Sequence, residues 1–319
     1  MGLFSKIKRH SAIATGHFAS MFKNVEIPPL PTAVTRLINE MNQEEPDIER
    51  LVRLISSETG LASKLIKTAN SPLFRLVKPA SSVRHVVTLL GFRQVQSVAL
   101  AYATMEAVPV PKGELFDHEA FWIDSLIRAL FARSFATKLQ LGKVDDVFTA
   151  TLLDDISLPI LLTAWKEYYE PVVEQWGESP ARLSEIEREH FGWDHAQASA
   201  WITQSWGLPE DMVCFMGAHN LPWEKIEEFE LTSTVATAPW IAAILPSILK
   251  PDAGRVTRMI SAAENRLQLG HDRFVQSLRE VEEAFGEILS LFQLPSQKAD
   301  PLFKELNRAL EENEPEQHE

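Results

Sequence analysis

Residues 149–165 read TATLLDDISLPILLTAW, with two adjacent carboxylates, Asp154 and Asp155, set in an otherwise apolar run. A carboxylate buried without a partner is costly, so such a pair must be hydrogen-bonded, matched by cations, bound to a metal or turned towards a solvated groove. Adjacent helical positions point about 100° apart, so only one of the two can face squarely into any one site. Two readings are open. In the plainer one, Asp154 faces water and Asp155 caps the next helix, with Pro159 in its first turn. In the other, the pair belongs to a polar pocket.

Working outward, the chain has 319 residues with 45% apolar content, enough for two packed domains with cores of their own. Thirteen Gly and recurrent helical spacing of Leu, Ala and Glu favour helices throughout. The single Cys214 excludes an intramolecular disulfide and fits a reducing cytoplasm. A net charge of −13 argues against nucleic acid or an anionic membrane as the partner of the whole surface. Residues 1–23 carry basic groups but no sustained apolar core, so no secretory leader is expected. Residues 231–249 (LTSTVATAPWIAAILPSIL) carry no charge, yet their five hydroxyl side chains and two prolines predict a broken buried helix rather than a membrane span.

Five segments follow. Residues 1–24 form a basic segment, with Leu3, Phe4, Ile7 and His10 at helical spacing. It suits weak peripheral contact with a membrane or a partner, or docking on its own domain. In residues 25–110 the spacing predicts about five short helices. The first starts near Pro31 with Val34, Leu37 and Ile38 on one face, Asp47 caps the second, and the third ends at Asn70. Ser81 or Ser82 caps the fourth, which Gly91 closes. The run VPVPKG at 108–113 reads as a linker. Residues 114–250 hold the second helical part. Residues 251–310 form a helical extension in which Phe274, Leu278, Val281, Phe285, Ile288 and Leu289 make an apolar face, for the bundle or for a partner. Residues 311–319 are an acidic tail expected to be disordered.

Several stretches carry a resemblance. IPPLP, then ISSETGLASKLIKTANSPLF, then KPASSVRHVVTLLGFRQV resemble the opening of the HDOD (HD-related output domain) family of bacterial signalling proteins. FWIDSLIRALFARSFATKL is similar to the family's Leu-Trp-x-His-Ser helix, TLLDDISLPIL to its Leu-Leu-His-Asp-Ile-Gly helix. EREHFGWDHAQASAWITQSWGLPE matches its Gly-x-Asp-His segment and FMGAHNLP its His-His segment. The resemblance covers roughly residues 25–250. It implies an all-α fold, with a short helical N-terminal subdomain packed on an HD-phosphohydrolase-like helical bundle.

HD-type hydrolases hold one or two divalent metals with His and Asp ligands, which polarise a phosphoryl oxygen and acidify a bound water. Carried over by resemblance, the first His falls on Asp124, and the His-Asp pair on Asp154 and Asp155. Two later positions keep His195 and His219, and Asn220 stands where the second member of a His-His pair would be. No acid lies at residues 237–239, where a last Asp is expected. Ser157 and Leu158 replace the Gly-Lys that follows the His-Asp pair. These departures disfavour catalysis.

If any metal binds, it is a weakly held divalent ion on Asp124, Asp154, Asp155, His195 and His219. Alternatively, Asp124 pairs with Arg128 one turn on, and Asp155 with protonated His195 or His219. Trp193, Trp201 and Trp206 are read as core residues and Asp194 as a helix cap with Gln197. The expectation is a non-catalytic, cytoplasmic bacterial signal-transduction module without cofactor. It would act through protein partners or ligand sensing, with no nucleic acid and no membrane span. The alternatives are a divergent metal-dependent phosphohydrolase built on those five residues, and a nucleotide sensor that keeps the ancestral pocket.

Overall fold

The structure, a computed structural model, describes residues 29–312 apart from 44, 46, 72–73, 75, 232–235 and 293. The basic segment 1–24 and the last seven residues, which hold most of the acidic tail, lie outside the described residues. The described residues form helices and no strands.

Five helices come first: α1 (Thr32–Met41), α2 (Ile48–Ser57), α3 (Thr59–Ala69), α4 (Val83–Leu90) and α5 (Phe92–Ala107). Their ends follow local chemistry. Asp47 accepts from the Arg50 amide at the start of α2, and Ser82 from the His85 amide at the start of α4. Gly91 adopts φ 89°, a left-handed value open to glycine, and so turns α4 directly into α5. Val34, Leu37 and Ile38 are buried, as their spacing predicts.

The second part is built around α6 (His118–Lys138), capped by Asp117 and buried on nearly every side. A helix apolar all round has to lie inside its fold. It packs against α7 (Val144–Leu152), and α8 (Ser157–Ala164), α9 (Lys166–Glu178) and α10 (Leu183–Phe191) follow in the chain. Then come α11 (His195–Ser205), α12 (Glu210–Ala218), α13 (Trp223–Glu228) and α14 (Thr237–Ala242), the last packed on α6. The C-terminal helices are α15 (Ala253–Leu267), α16 (His271–Phe292) and α17 (Asp300–Glu312), so helix continues two residues beyond position 310.

A large apolar core takes in buried side chains from Val34 to Leu310, and a smaller one forms around Tyr169 and Trp193. The apolar face of α16 belongs to the large core: Phe274, Leu278, Val281, Phe285, Ile288 and Leu289 are all buried, and α16 lies along α6. Between the two uses open to this face, the packing selects the bundle; these six side chains are not a partner surface. By length and composition Val144–Ala164 could cross a membrane, but most of it is buried inside the fold.

Candidate functional site

The run opening the sequence analysis does not form one helix. α7 ends at Leu152, residues 153–156 make a turn, and α8 begins at Ser157. Asp154 and Asp155 therefore sit on a helix break. With only 4% of Asp154 and 9% of Asp155 exposed, and α8 without a side-chain cap, the plainer reading is overturned. Neither acid faces water and neither caps α8.

Asp155 is the centre of a buried cluster. Its Oδ2 accepts from Arg128 Nη1 at 2.7 Å, and its Oδ1 lies 3.3 Å from both His195 Nε2 and His219 Nε2. Burial by itself would raise the Asp155 pKa. Contact with His219 and the positive charge of His195 and Arg128 overcome burial and hold it well below the carboxylate range.

Both imidazoles are anchored from behind. His219 Nδ1 donates to the Met216 carbonyl at 2.6 Å. His195 Nδ1 donates to Glu187 Oε2 at 2.6 Å, and the His195 amide reaches the same oxygen at 2.8 Å. Glu187 also accepts from the Tyr169 hydroxyl, so this fully buried carboxylate is met on both oxygens. Gly192, at φ 76°, ends α10 and swings the chain so that Asp194 caps α11, with His195 as its first residue. The Asp194–Gln197 capping box is the one the spacing predicts. Trp193 is buried in the small aromatic core beneath, stacked on Phe191 at 4.9 Å.

Asn220 closes the cluster. Arg182 Nη2, which can only donate, reaches Asn220 Oδ1 at 2.9 Å and so orients the amide. Nδ2 is left facing His195 Nε2 at 2.7 Å and His219 Nε2 at 3.0 Å, one hydrogen for each ring. The cluster still attracts positive charge. Burial lowers the His195 pKa, but Glu187, Asp155 and Asp194 outweigh it and bring it up to about 9, so at neutral pH a proton competes with the Asn220 amide for His195 Nε2, and either one occupies that lone pair.

The other two acids serve elsewhere. Asp124 accepts from the Ile248 amide at 2.8 Å and bonds Ser247, while burial, opposed by Arg128, pushes its pKa up to about 6. The expected Asp124–Arg128 pair is not the one formed, because Arg128 gives its ion pair to Asp155. Asp154 lies 4.0 Å from His219 Nδ1, neither of its oxygens has a hydrogen-bond partner, and burial and the Asp155 charge hold its pKa well above 3.8. Asp154→Asn should therefore leave stability unchanged or raise it by about 1 kcal/mol, since no hydrogen bond is lost and like-charge repulsion is removed. Thermal melts of the two proteins at neutral pH decide this; a fall of many degrees for the variant would mean that a cation holds the carboxylate.

As a metal centre the site is incomplete. Of the five candidate ligands, Asp155, His195 and His219 bring one atom each within 4.8 Å of one another, and the anchored Nδ1 atoms leave both Nε2 atoms facing inward, as metal-binding imidazoles do. Asp124 and Asp154 do not join that triad. The cation's role is already filled by Arg128 on Asp155, and the Asn220 amide directs hydrogens at the two nitrogen lone pairs. These residues do not fit a tightly held ion. Ser157, at the position of the family's Gly, accepts a tie from Ser199 Oγ at 2.9 Å and donates to the His195 carbonyl at 2.8 Å, locking α8 to α11.

Above the cluster lies a cavity of about 130 Å³, lined by Asp124, Arg128, Asp155, His195, His219 and Asn220 on its polar side. The remaining wall includes Phe121, Leu162 and Trp176, with Arg182 and Arg255 at the mouth. Sequence reasoning missed Glu187, Arg182 and Arg255. Glu187 looks like its solvated neighbours Glu185 and Glu189, and Arg255 lies beyond the region of resemblance.

The HDOD domain family matches residues 27–222, more than half the chain. The protein belongs to the HDOD family. Solved structures agree on the fold. An HDOD domain protein of unknown function from Geobacter sulfurreducens is 18% identical, with TM-score 0.64, covering 89% of this chain and 98% of its own. A provisionally named phosphohydrolase from Shewanella amazonensis SB2B is 19% identical, with TM-score 0.60 and coverage of 94% and 98%. A provisionally named signal transduction protein from Marinobacter aquaeolei VT8 is 18% identical, with TM-score 0.54 and coverage of 96% and 66%. The chain spans less than half the length of the curated relatives it matches, 41% and 24%.

Proposed function

We propose that this HDOD protein is a non-catalytic regulatory module of bacterial signal transduction, working in the cytoplasm through protein contacts and through occupancy of its pocket. The observation that carries this reading is the replacement of a metal cation by side chains. Arg128 neutralises Asp155 from 2.7 Å, and Asn220, oriented by Arg182, occupies the lone pairs of His195 and His219. Arg128 on Asp155, the Asn220 amide against both imidazoles and the lack of an acid at residues 237–239 leave the cluster without the ligand set that holds an ion able to acidify a water. The fold is kept while the chemistry is not, so function must come from contacts made by the folded surface or from what fills the cavity.

Two measurements test this together. Elemental analysis of protein purified without added metal should give well under one equivalent of any transition metal. Hydrolysis of phosphomonoesters, phosphodiesters and cyclic dinucleotides should stay at background with or without Mn or Mg. Metal-stimulated turnover that disappears in Asp155→Asn would reverse the reading in favour of a divergent phosphohydrolase.

A further inference from the structure

The chain is acidic overall, at −13, yet three guanidinium groups, Arg128, Arg182 and Arg255, line a single cavity. Arg128 is matched by Asp155; among the described residues, Arg182 and Arg255 form no ion pair. Arg182 donates to the neutral Asn220. Arg255 donates only to backbone carbonyls, through Nε to Ile244 at 2.9 Å and through Nη2 to Ala243 at 3.2 Å and Leu245 at 3.3 Å. Arg128 Nη2 reaches that same Leu245 oxygen at 3.3 Å, so the fold holds two like charges at one carbonyl. Burial and the charges of Arg128 and Arg182 bring the Arg255 pKa down to about 9. The adjoining groove shares Arg182 and Arg255 and adds Lys250 and Arg258 against Glu185 and Asp252, the last paired with Arg258 at 3.8 Å.

Cations gathered in a half-buried mouth repel one another, and this cost is relieved when an anion sits between them. Arg255 Nη1 and the Arg182 hydrogens not given to Asn220 suit an oxyanion with several acceptor oxygens better than a halide, and a dianion better than a single charge. Behind the mouth, Phe121, Leu162 and Trp176 offer an apolar wall. The cavity of about 130 Å³ is close to the size that accepts one benzene-sized ring.

We infer that this mouth binds the phosphoryl group of a small phosphate monoester whose apolar body enters the cavity, and that it does so without a metal ion. The inference deepens the regulatory reading and rests on it, since it names what occupies the pocket. Arg182 is placed to couple the ligand to the cluster. A phosphoryl group drawing its guanidinium outward would loosen the bond to Asn220 Oδ1 and free the amide to turn.

Titration calorimetry of the full chain in EDTA tests this, with phenyl phosphate, inorganic phosphate and benzoate as probes. Phenyl phosphate should bind at least about tenfold tighter than inorganic phosphate, from burial of the ring, and benzoate should bind weakest. Affinity should fall as NaCl rises. Arg182→Gln should weaken phenyl phosphate about tenfold or more, while Lys225→Gln, a surface control on α13, should leave it unchanged. If Arg182→Gln does not fold, the salt dependence and the ranking of probes in the parent chain still decide.

Absence of metal-free binding, or undiminished binding in Arg182→Gln, would overturn the inference. Equal affinity for inorganic phosphate would remove the apolar body from it. Binding that requires Mn and disappears in Asp155→Asn would move the ligand to a metal centre and overturn it too. Phenol release followed in the same samples separates the two ideas: metal-free binding with phenol release keeps the anion site and sinks the regulatory reading alone.

Discussion

Replacing Arg128 with Met is expected to cost roughly 3–5 kcal/mol of folding stability, the range for removing one partner of a buried ion pair. Among the described residues the guanidinium is the only full, permanent positive charge bonded to Asp155, and the pair meets at 2.7 Å with both side chains largely out of water. Met fills a similar volume, so the loss reports charge rather than a cavity. Without Arg128, Asp155 must draw on His195 and His219 at 3.3 Å, and the link from α6 to the Leu245 carbonyl is lost as well. Urea unfolding should show the midpoint displaced with an unchanged slope. Asp155→Asn added to Arg128→Met should restore part of the loss, because the stranded charge goes with it. A loss under about 1 kcal/mol would place the pair among solvent-screened ion pairs, and the argument that Arg128 stands in for a metal would fail with it.

That pairing was not legible from the sequence, for a physical reason. Asp124 and Arg128 are one helical turn apart, the spacing at which local ion pairs form. The local rule loses because Asp124 is claimed by the Ile248 amide, 124 residues on, and Arg128 by Asp155, 27 residues on. What could be read in advance was decided by neighbours in the chain. Asp47, Ser82 and Asp194 cap their helices because each needs only an amide three residues ahead, and Gly91 takes the positive φ that ends α4. The family resemblance placed Asp124, Asp154, Asp155, His195, His219 and Asn220 around one pocket, and one cavity is lined by all of them except Asp154. It could not show that Asp154 faces away from that pocket, since this depends on the helix break at residues 153–156. Nor could it supply the cationic mouth, which draws Arg182 from the start of α10 and Arg255 from helices outside the matched region.

The α16 face gives the second large effect. Phe274→Ala should destabilise the protein by about 3–5 kcal/mol, as truncation of a fully buried aromatic does. The Phe274 ring lies 5.9 Å from that of Phe131 and 5.7 Å from that of Phe135, both buried on α6, the helix that also carries Asp124 and Arg128. Substitution therefore opens a void against the element that positions the candidate site. A variant that still folds should show weakened α6 protection in amide hydrogen exchange before any change in α2 or α4, which lie in the N-terminal part. The sequence alone left this face free to serve a partner, and in that case the same substitution would reduce capture of the partner and leave the melt unaltered. An unchanged melting curve for Phe274→Ala would put α16 back on the surface and remove the C-terminal helices from the core.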